Sequence, residues 1–138
     1  MPRSGSRAAD YTGGSETILV VEDDAAVREV TVYFLRKFGY RVLEADGGTT
    51  ALAVLEREEG TDLLLTDLVM PDGLQGDEIA RLVRKRDPNI KVLYCSGDAQ
   101  ILMWGPEKSA PRTDQLRKPY RAKDLAAKVR QLLDREAT

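Results

Sequence analysis

The sequence predicts an α/β domain, a doubly wound parallel sheet of five strands with helices on both faces. Three observations lead there. Short runs that are apolar at every position alternate with longer stretches whose apolar residues recur every three to four positions. Such alternation implies right-handed strand–helix–strand crossovers and therefore a sheet covered on both sides. The chain has 138 residues, 42% of them hydrophobic, enough for one domain of this kind and too few for two.

Taken in order, residues 1–15 are rich in Gly, Ser and Arg without periodicity and read as a flexible tail, with a domain over 16–135 and a short tail over 136–138. Thr17–Val21 is β-branched and ends in acids, the pattern of a buried strand. Asp24 is a plausible N-cap for a helix carrying Val27, Val30, Phe34 and Phe38 on one stripe, with Gly39 as its C′ stop. Arg41–Ala45 is a more amphipathic strand, followed by a helix with Ala51, Leu52, Val54 and Leu55 that ends by Gly60. Leu63–Thr66 ends at Asp67, and a third helix carrying Ile79, Leu82 and Val83 is closed by Asp87-Pro88. Lys91–Cys95 ends at Ser96. Between Gly97 and Thr113, Gly105-Pro106 and Pro111 leave room for a short helix at Ala99–Trp104 and then an irregular loop. Asp114–Arg117 is a weak edge strand before Lys118-Pro119, and Leu125, Val129, Leu132 and Leu133 mark a last helix beginning after Arg121. The series suits a flavodoxin-like domain with strand order 2-1-3-4-5.

Composition excludes much. The chain has no histidine and a single cysteine, Cys95. A Ser-His-Asp triad, a His general base, a His or Cys-rich zinc site and an internal disulfide are all impossible. The formal charge of −2 argues against nucleic-acid binding. No apolar run reaches the roughly 18–20 residues of a membrane span, and the N-terminus lacks a signal-peptide core. Neither phosphate-binding glycine motif follows a strand, which disfavours a nucleotide-binding enzyme. Chemistry here must rest on carboxylates, lysine, hydroxyls and a hard cation such as Mg²⁺.

The strand ends supply those groups. The first strand runs into Glu22-Asp23-Asp24, the third ends at Asp67, the fourth at Ser96, the fifth at Lys118. In a parallel sheet they converge on one rim, where such folds carry their sites. Clustered carboxylates repel one another, and Mg²⁺ removes that cost while screening an incoming phosphoryl group. Lys118 and Ser96 would bind its remaining oxygens, which makes a site for accepting a phosphoryl group on a carboxylate. Singly, each residue has an ordinary reading: the acids as a capping turn, Asp67 and Ser96 as turn residues, Lys118 as a solvated lysine, Cys95 as a small core residue and Trp104 as partial core cover. Their occurrence at four strand ends favours the site.

Ile18–Asp24, Leu65–Pro71 with Gly76, Tyr94–Gly97 and Leu116–Tyr120, in that order and spacing, resemble the receiver domain of two-component response regulators. The resemblance covers Glu16 to Asp134. It implies a cytoplasmic phosphoacceptor module rather than an enzyme with a separate substrate, one that catalyses only its own phosphorylation and dephosphorylation. By the same resemblance Asp67 is the phosphoacceptor, Asp23 the main Mg²⁺ carboxylate with Glu22 acting through water, and the Val69 backbone carbonyl a further ligand. Ser96 binds a phosphoryl oxygen, Lys118 pairs with Asp67 or its phosphate, and Lys118-Pro119 is cis. The implied donor is a phosphohistidine on a histidine kinase or phosphotransfer domain, and the output a protein–protein contact. The Gly-rich lead-in and the Ala127–Leu133 ending are similar to receivers of hybrid sensor kinases.

Three positions depart from the family pattern. Gln115 replaces the usual aromatic switch residue, Gly105 and Pro106 interrupt the fourth helix, and Val69 cannot hydrogen-bond an attacking water. Two other readings stay open: a pseudo-receiver that binds partners without being phosphorylated, and a haloacid-dehalogenase-type phosphatase, although the second Asp expected of that class is here Val69.

Overall fold

In a computed structural model the chain is described at residues 13–70, 73–97 and 113–135. The elements are β1 (Thr17–Val21), α1 (Ala25–Lys37), β2 (Arg41–Ala45), α2 (Gly48–Arg57), β3 (Leu63–Asp67), α3 (Gly76–Arg86), β4 (Lys91–Ser96), β5 (Thr113–Arg117) and α4 (Ala122–Leu133). The five strands form one sheet in the order β2-β1-β3-β4-β5, parallel throughout, as the alternation predicted. The short helix and loop expected before β5, with Trp104, lie outside the described residues.

Alternation along the strands makes two cores. Ile18, Val20, Leu63, Leu65, Leu93 and Cys95 turn to one face, under Val32 and Leu35 of α1 and Leu125, Val129 and Leu132 of α4. Leu19, Val21, Leu64, Val92 and Tyr94 turn to the other, under Ala51 and Val54 of α2 and Ile79, Ala80 and Val83 of α3. β1, β3 and β4 are buried at every position, so these strands show no polar alternation.

The ends of α1 follow the sequence cues. Asp24 accepts hydrogen bonds from the Ala26 and Val27 amides at 3.0 and 3.2 Å. At the other end Tyr40 N–H reaches Leu35 O and Gly39 N–H reaches Arg36 O, a Schellman pair that needs the positive φ of +104° at Gly39. The inward face of α1 departs from the predicted stripe. Thr31, Val32 and Leu35 are buried, whereas Val27 and Val30 are 36% and 56% exposed. The reason is Thr31, whose hydroxyl lies 2.9 Å from Tyr120 Oη; once paired, a polar residue can occupy the inner face. Phe34 and Phe38 pack against the core as expected. α2 stops at Arg57, with Gly60 in the turn beyond at φ +82°.

Two cations, Lys91 buried and Arg130 half-buried, fasten the pole of the fold at the amino ends of the strands. Lys91, 8% exposed, donates from Nζ to Leu132 O, Leu133 O and Arg135 O at 2.9, 3.2 and 2.7 Å. It thereby satisfies carbonyls at the end of α4, where a positive charge also meets the helix dipole. Arg130 of α4 holds Glu16 with both terminal nitrogens, at 3.1 and 2.6 Å, and reaches Gly13 O. That hydrogen bond keeps the Glu16 carboxyl below its usual range. Lys91→Met keeps the aliphatic stem and removes the donors. Its denaturant midpoint should fall by the equivalent of about 2 kcal/mol, and an unchanged midpoint would mean that the helix end does not depend on Lys91.

Candidate functional site

β1 is flanked by β2 on one side and β3 on the other, so the chain reverses its winding direction there. The carboxyl ends of β1 and β3 therefore border the crevice where doubly wound sheets carry their sites. Asp67 is the last residue of β3 and Glu22 follows β1; each is 6% exposed. Glu22 N–H is tied to Ala45 O, and Glu22 Oε2 accepts from Asp24 N–H. Asp23, exposed beside it, completes a group with Glu22 and Asp67 in which one carboxylate oxygen from each lies within 4.8 Å of the others. Lys118, brought in by β5, places Nζ 2.5 Å from Asp67 Oδ1 and 3.2 Å from Glu22 Oε1. The Lys118–Pro119 peptide is cis.

Three carboxylates thus face one ammonium. Two unit charges 4.8 Å apart repel by roughly 3.5 kcal/mol at an effective dielectric of 20. Burial, reinforced by Asp67, raises the Glu22 carboxyl above its ordinary value despite Lys118. Burial alone would pull Lys118 down, but Asp67 and Glu22 outweigh it and hold the ammonium above its ordinary value. Lys118 therefore stays charged at neutral pH. The remaining negative charge and the all-oxygen donor set suit a hard divalent cation.

The wall of the site is inert. Cys95 pairs in register with Asp67, and burial pushes its thiol up to about 12, so it offers no thiolate beside Asp67. Ser96 closes β4, 3% exposed. Its carbonyl accepts from Lys118 N–H at 2.8 Å, while its hydroxyl oxygen is buried without a hydrogen-bond partner. A hydroxyl desolvated in this way is ready for an acceptor supplied from outside. Gln115, at the departure position, also has a buried side-chain oxygen without a partner. Its register with Tyr94, two residues from Ser96, puts both on one sheet face.

The loop after Asp67 is drawn back onto the sheet. Leu68 N–H donates to Cys95 O, and Leu68 O accepts from Gly76 N–H, both at 2.9 Å. Gly76 lies so close that a Cβ there would be 2.0 Å from Asp67 O and 2.9 Å from Leu68 Cα. The glycine is required by this approach, since its φ is not positive. Val69, between the anchored residues, is 52% exposed, and Met70 is buried in the second core.

Every residue expected at the rim is there: Glu22, Asp23, Asp67 and Lys118 meet around one point, Ser96 ends the adjacent strand, and Val69 lies two residues past Asp67. Sequence reasoning missed three supports. Arg28 donates from Nη1 to Glu22 O at 2.6 Å, and nothing in the sequence marks it. The Thr31–Tyr120 pair joins α1 to the turn after Lys118. Gln75 holds the loop by hydrogen bonds to Met70, and Gln75-x-x-Glu78 before Ile79 is a helix-start pattern that could have singled it out.

The family model described as "Response regulator receiver domain" matches residues 18–130. The chain is 38% identical over 117 residues to the response regulator receiver protein CpdR of Brucella abortus, covering 84% of this chain and 95% of that protein. It is 36% identical over 131 residues to the sensor kinase CckA of the same organism, covering 94% of this chain but only 14% of the kinase. Among solved structures, the receiver domain of the hybrid histidine kinase CckA superposes with a TM-score of 0.71 at 34% identity, over 86% of this chain and 99% of that one. A receiver protein of Sinorhizobium medicae superposes at 0.76 and 28% identity, over 87% and 95%.

Gly76→Ala tests the close approach. The added methyl meets backbone rather than a yielding side chain, so the loop must move; a loss of about 1–3 kcal/mol is expected. Amide shifts should follow at Asp67 and Leu68. A variant as stable as the wild type, with the Asp67 and Leu68 amide resonances unmoved, would refute the tight packing.

Proposed function

The chain belongs to the response regulator receiver domain family, and on that premise we propose that it accepts a phosphoryl group on Asp67 from a phosphohistidine of a histidine kinase or phosphotransfer domain. The observation that carries the reading is the meeting of Glu22, Asp23 and Asp67 within 4.8 Å beside the Lys118 ammonium. The family is a signalling module of two-component systems. Its phosphorylation chemistry in this chain, the cation and the downstream protein contact are our assignment.

In the proposed reaction an Asp67 carboxylate oxygen attacks phosphorus, a P–O bond forms as the P–N bond to the donor imidazole breaks, and the imidazole, protonated on its other ring nitrogen before transfer, leaves neutral with that proton. The product is an acyl phosphate on Asp67. Glu22, Asp23, Asp67 and the Val69 carbonyl would hold Mg²⁺, which when bound would supply charge neutralisation and alignment for in-line transfer. Donors of this kind fit it: hard oxygens, a local excess of negative charge, and a Glu22 carboxyl already raised by burial and repulsion. Lys118, held charged by the two acids, passes from Asp67 to the phosphoryl oxygens as the charge moves outward. Ser96 Oγ, buried and unpartnered, donates to another of those oxygens. The absence of histidine from the chain agrees with a donor on another protein or domain.

Incubation with Mg²⁺ and acetyl phosphate, followed by intact-mass measurement, should show one added phosphoryl group. The adduct should disappear in Asp67→Asn and without Mg²⁺. If neither adduct nor Mg²⁺ binding is found, the chain acts as a binding module instead.

Hydrolysis of the acyl phosphate needs a water held in line. The exposed Val69 side chain has no polar atom to hold it. Val69→Asn supplies an amide and should speed loss of the phosphoryl group several-fold in a timed decay measurement. An equal or slower decay would count against this role.

A further inference from the structure

Gln75 occupies the N-cap of α3, three residues before Glu78 in a capping-box arrangement. Glu78 Oε1 accepts from the Gln75 N–H at 2.8 Å, and the Gln75 side-chain amide reaches back into the loop. There Oε1 accepts from Met70 N–H at 2.9 Å, and Nε2 donates to Met70 O at 3.0 Å and to Gly73 O at 3.4 Å. Met70 N–H shares one rigid peptide plane with the Val69 carbonyl. The only cis peptide among the described residues is Lys118–Pro119, so this one is trans and its C=O points opposite to its N–H. Holding Met70 N–H on Gln75 therefore fixes the direction of the Val69 carbonyl. It also polarises that peptide, which makes the oxygen a better donor to a cation. The preceding peptide is pinned as well, through Leu68 O and Gly76 N–H, so a residue with an exposed side chain has a backbone held on both sides.

We infer that Gln75 is a positioning residue for divalent-cation binding, acting through the Met70 amide to orient and polarise the Val69 carbonyl; this rests on the assignment of that carbonyl and the three carboxylates as the Mg²⁺ site. A plain loop staple would contribute to stability and leave the affinity of the folded protein untouched. A residue that orients a ligand changes the affinity itself, by about tenfold to a hundredfold for outer partners of metal ligands. The two hydrogen-bonding halves of the amide can be separated. Gln75→Glu keeps an acceptor for Met70 N–H and loses the donor to Met70 O and Gly73 O. Gln75→Ala loses both.

The test is calorimetric titration of the full chain with Mg²⁺ at physiological ionic strength, well below the melting temperature. The Mg²⁺-induced shift of the Val69 carbonyl carbon is followed in parallel by NMR. Wild type should bind, and Asp23→Asn should bind far more weakly. Gln75→Ala should lose about tenfold or more in affinity together with the Val69 shift, while Gln75→Glu should keep most of both. If wild type binds and Gln75→Ala binds equally well, the inference falls and the site assignment stands. If Gln75→Ala does not fold, Gln75→Glu still decides: retention of affinity and shift supports the role, and loss of both overturns it. If wild type does not bind at all, the site assignment fails and the inference with it.

Discussion

Glu22, just past β1, and Asp67, at the end of the neighbouring parallel strand β3, are two carboxylates nearly shut off from water, with Lys118 as their common counter-charge. Neither acid can move apart, because each is set by the register of β1 on β3, and that register is held by two apolar cores. The free energy that fills the interior thus keeps like charges together at its edge. The consequences run outward. Glu22 is raised, Lys118 is held charged, and the third acid, Asp23, can stay in water. Three carboxylates around one ammonium leave the cluster with an excess of negative charge.

The same constraint explains the backbone around the site. The segment after Asp67 cannot wander without exposing the end of β3. It is tied at Leu68 to β4 and α3, at Gly76 by contact that leaves no room for a side chain, and at Met70 by Gln75. Across the sheet, Ser96 O accepts the Lys118 amide, so the hydroxyl and the ammonium are set by one connection between β4 and the chain leaving β5. Precision at the rim comes from short backbone ties rather than from further charged pairs.

Much of this was legible in the sequence. β1, β3 and β4 stand out because a buried parallel strand is apolar on both faces, whereas β2 and β5, partly exposed, leave weaker patterns, and the rim residues are the strand ends read in order. Asp24 and Gly39 mark their helix ends by chemistry specific to those positions. The inner face of α1 was misread because periodicity counts apolar residues, and Thr31 is buried through a partner 89 residues away that no local pattern reveals. Lys91 and Arg28 were invisible for the same reason: each meets backbone carbonyls, which every residue has. Gln75 lay between these cases, its helix-start pattern visible and its bonds to Met70 dependent on how the loop returns.

The Arg130–Glu16 clamp and the Lys91 cap on α4 sit at the pole where the strands begin, opposite the carboxylates. Both ends of the described chain leave from there. The carboxylate rim and the two ends of the described chain therefore lie at opposite poles of the sheet. At the lead-in, Gly13 and Glu16 are fastened directly to the last helix. A pull on the lead-in would therefore be felt by α4 before it reached β1.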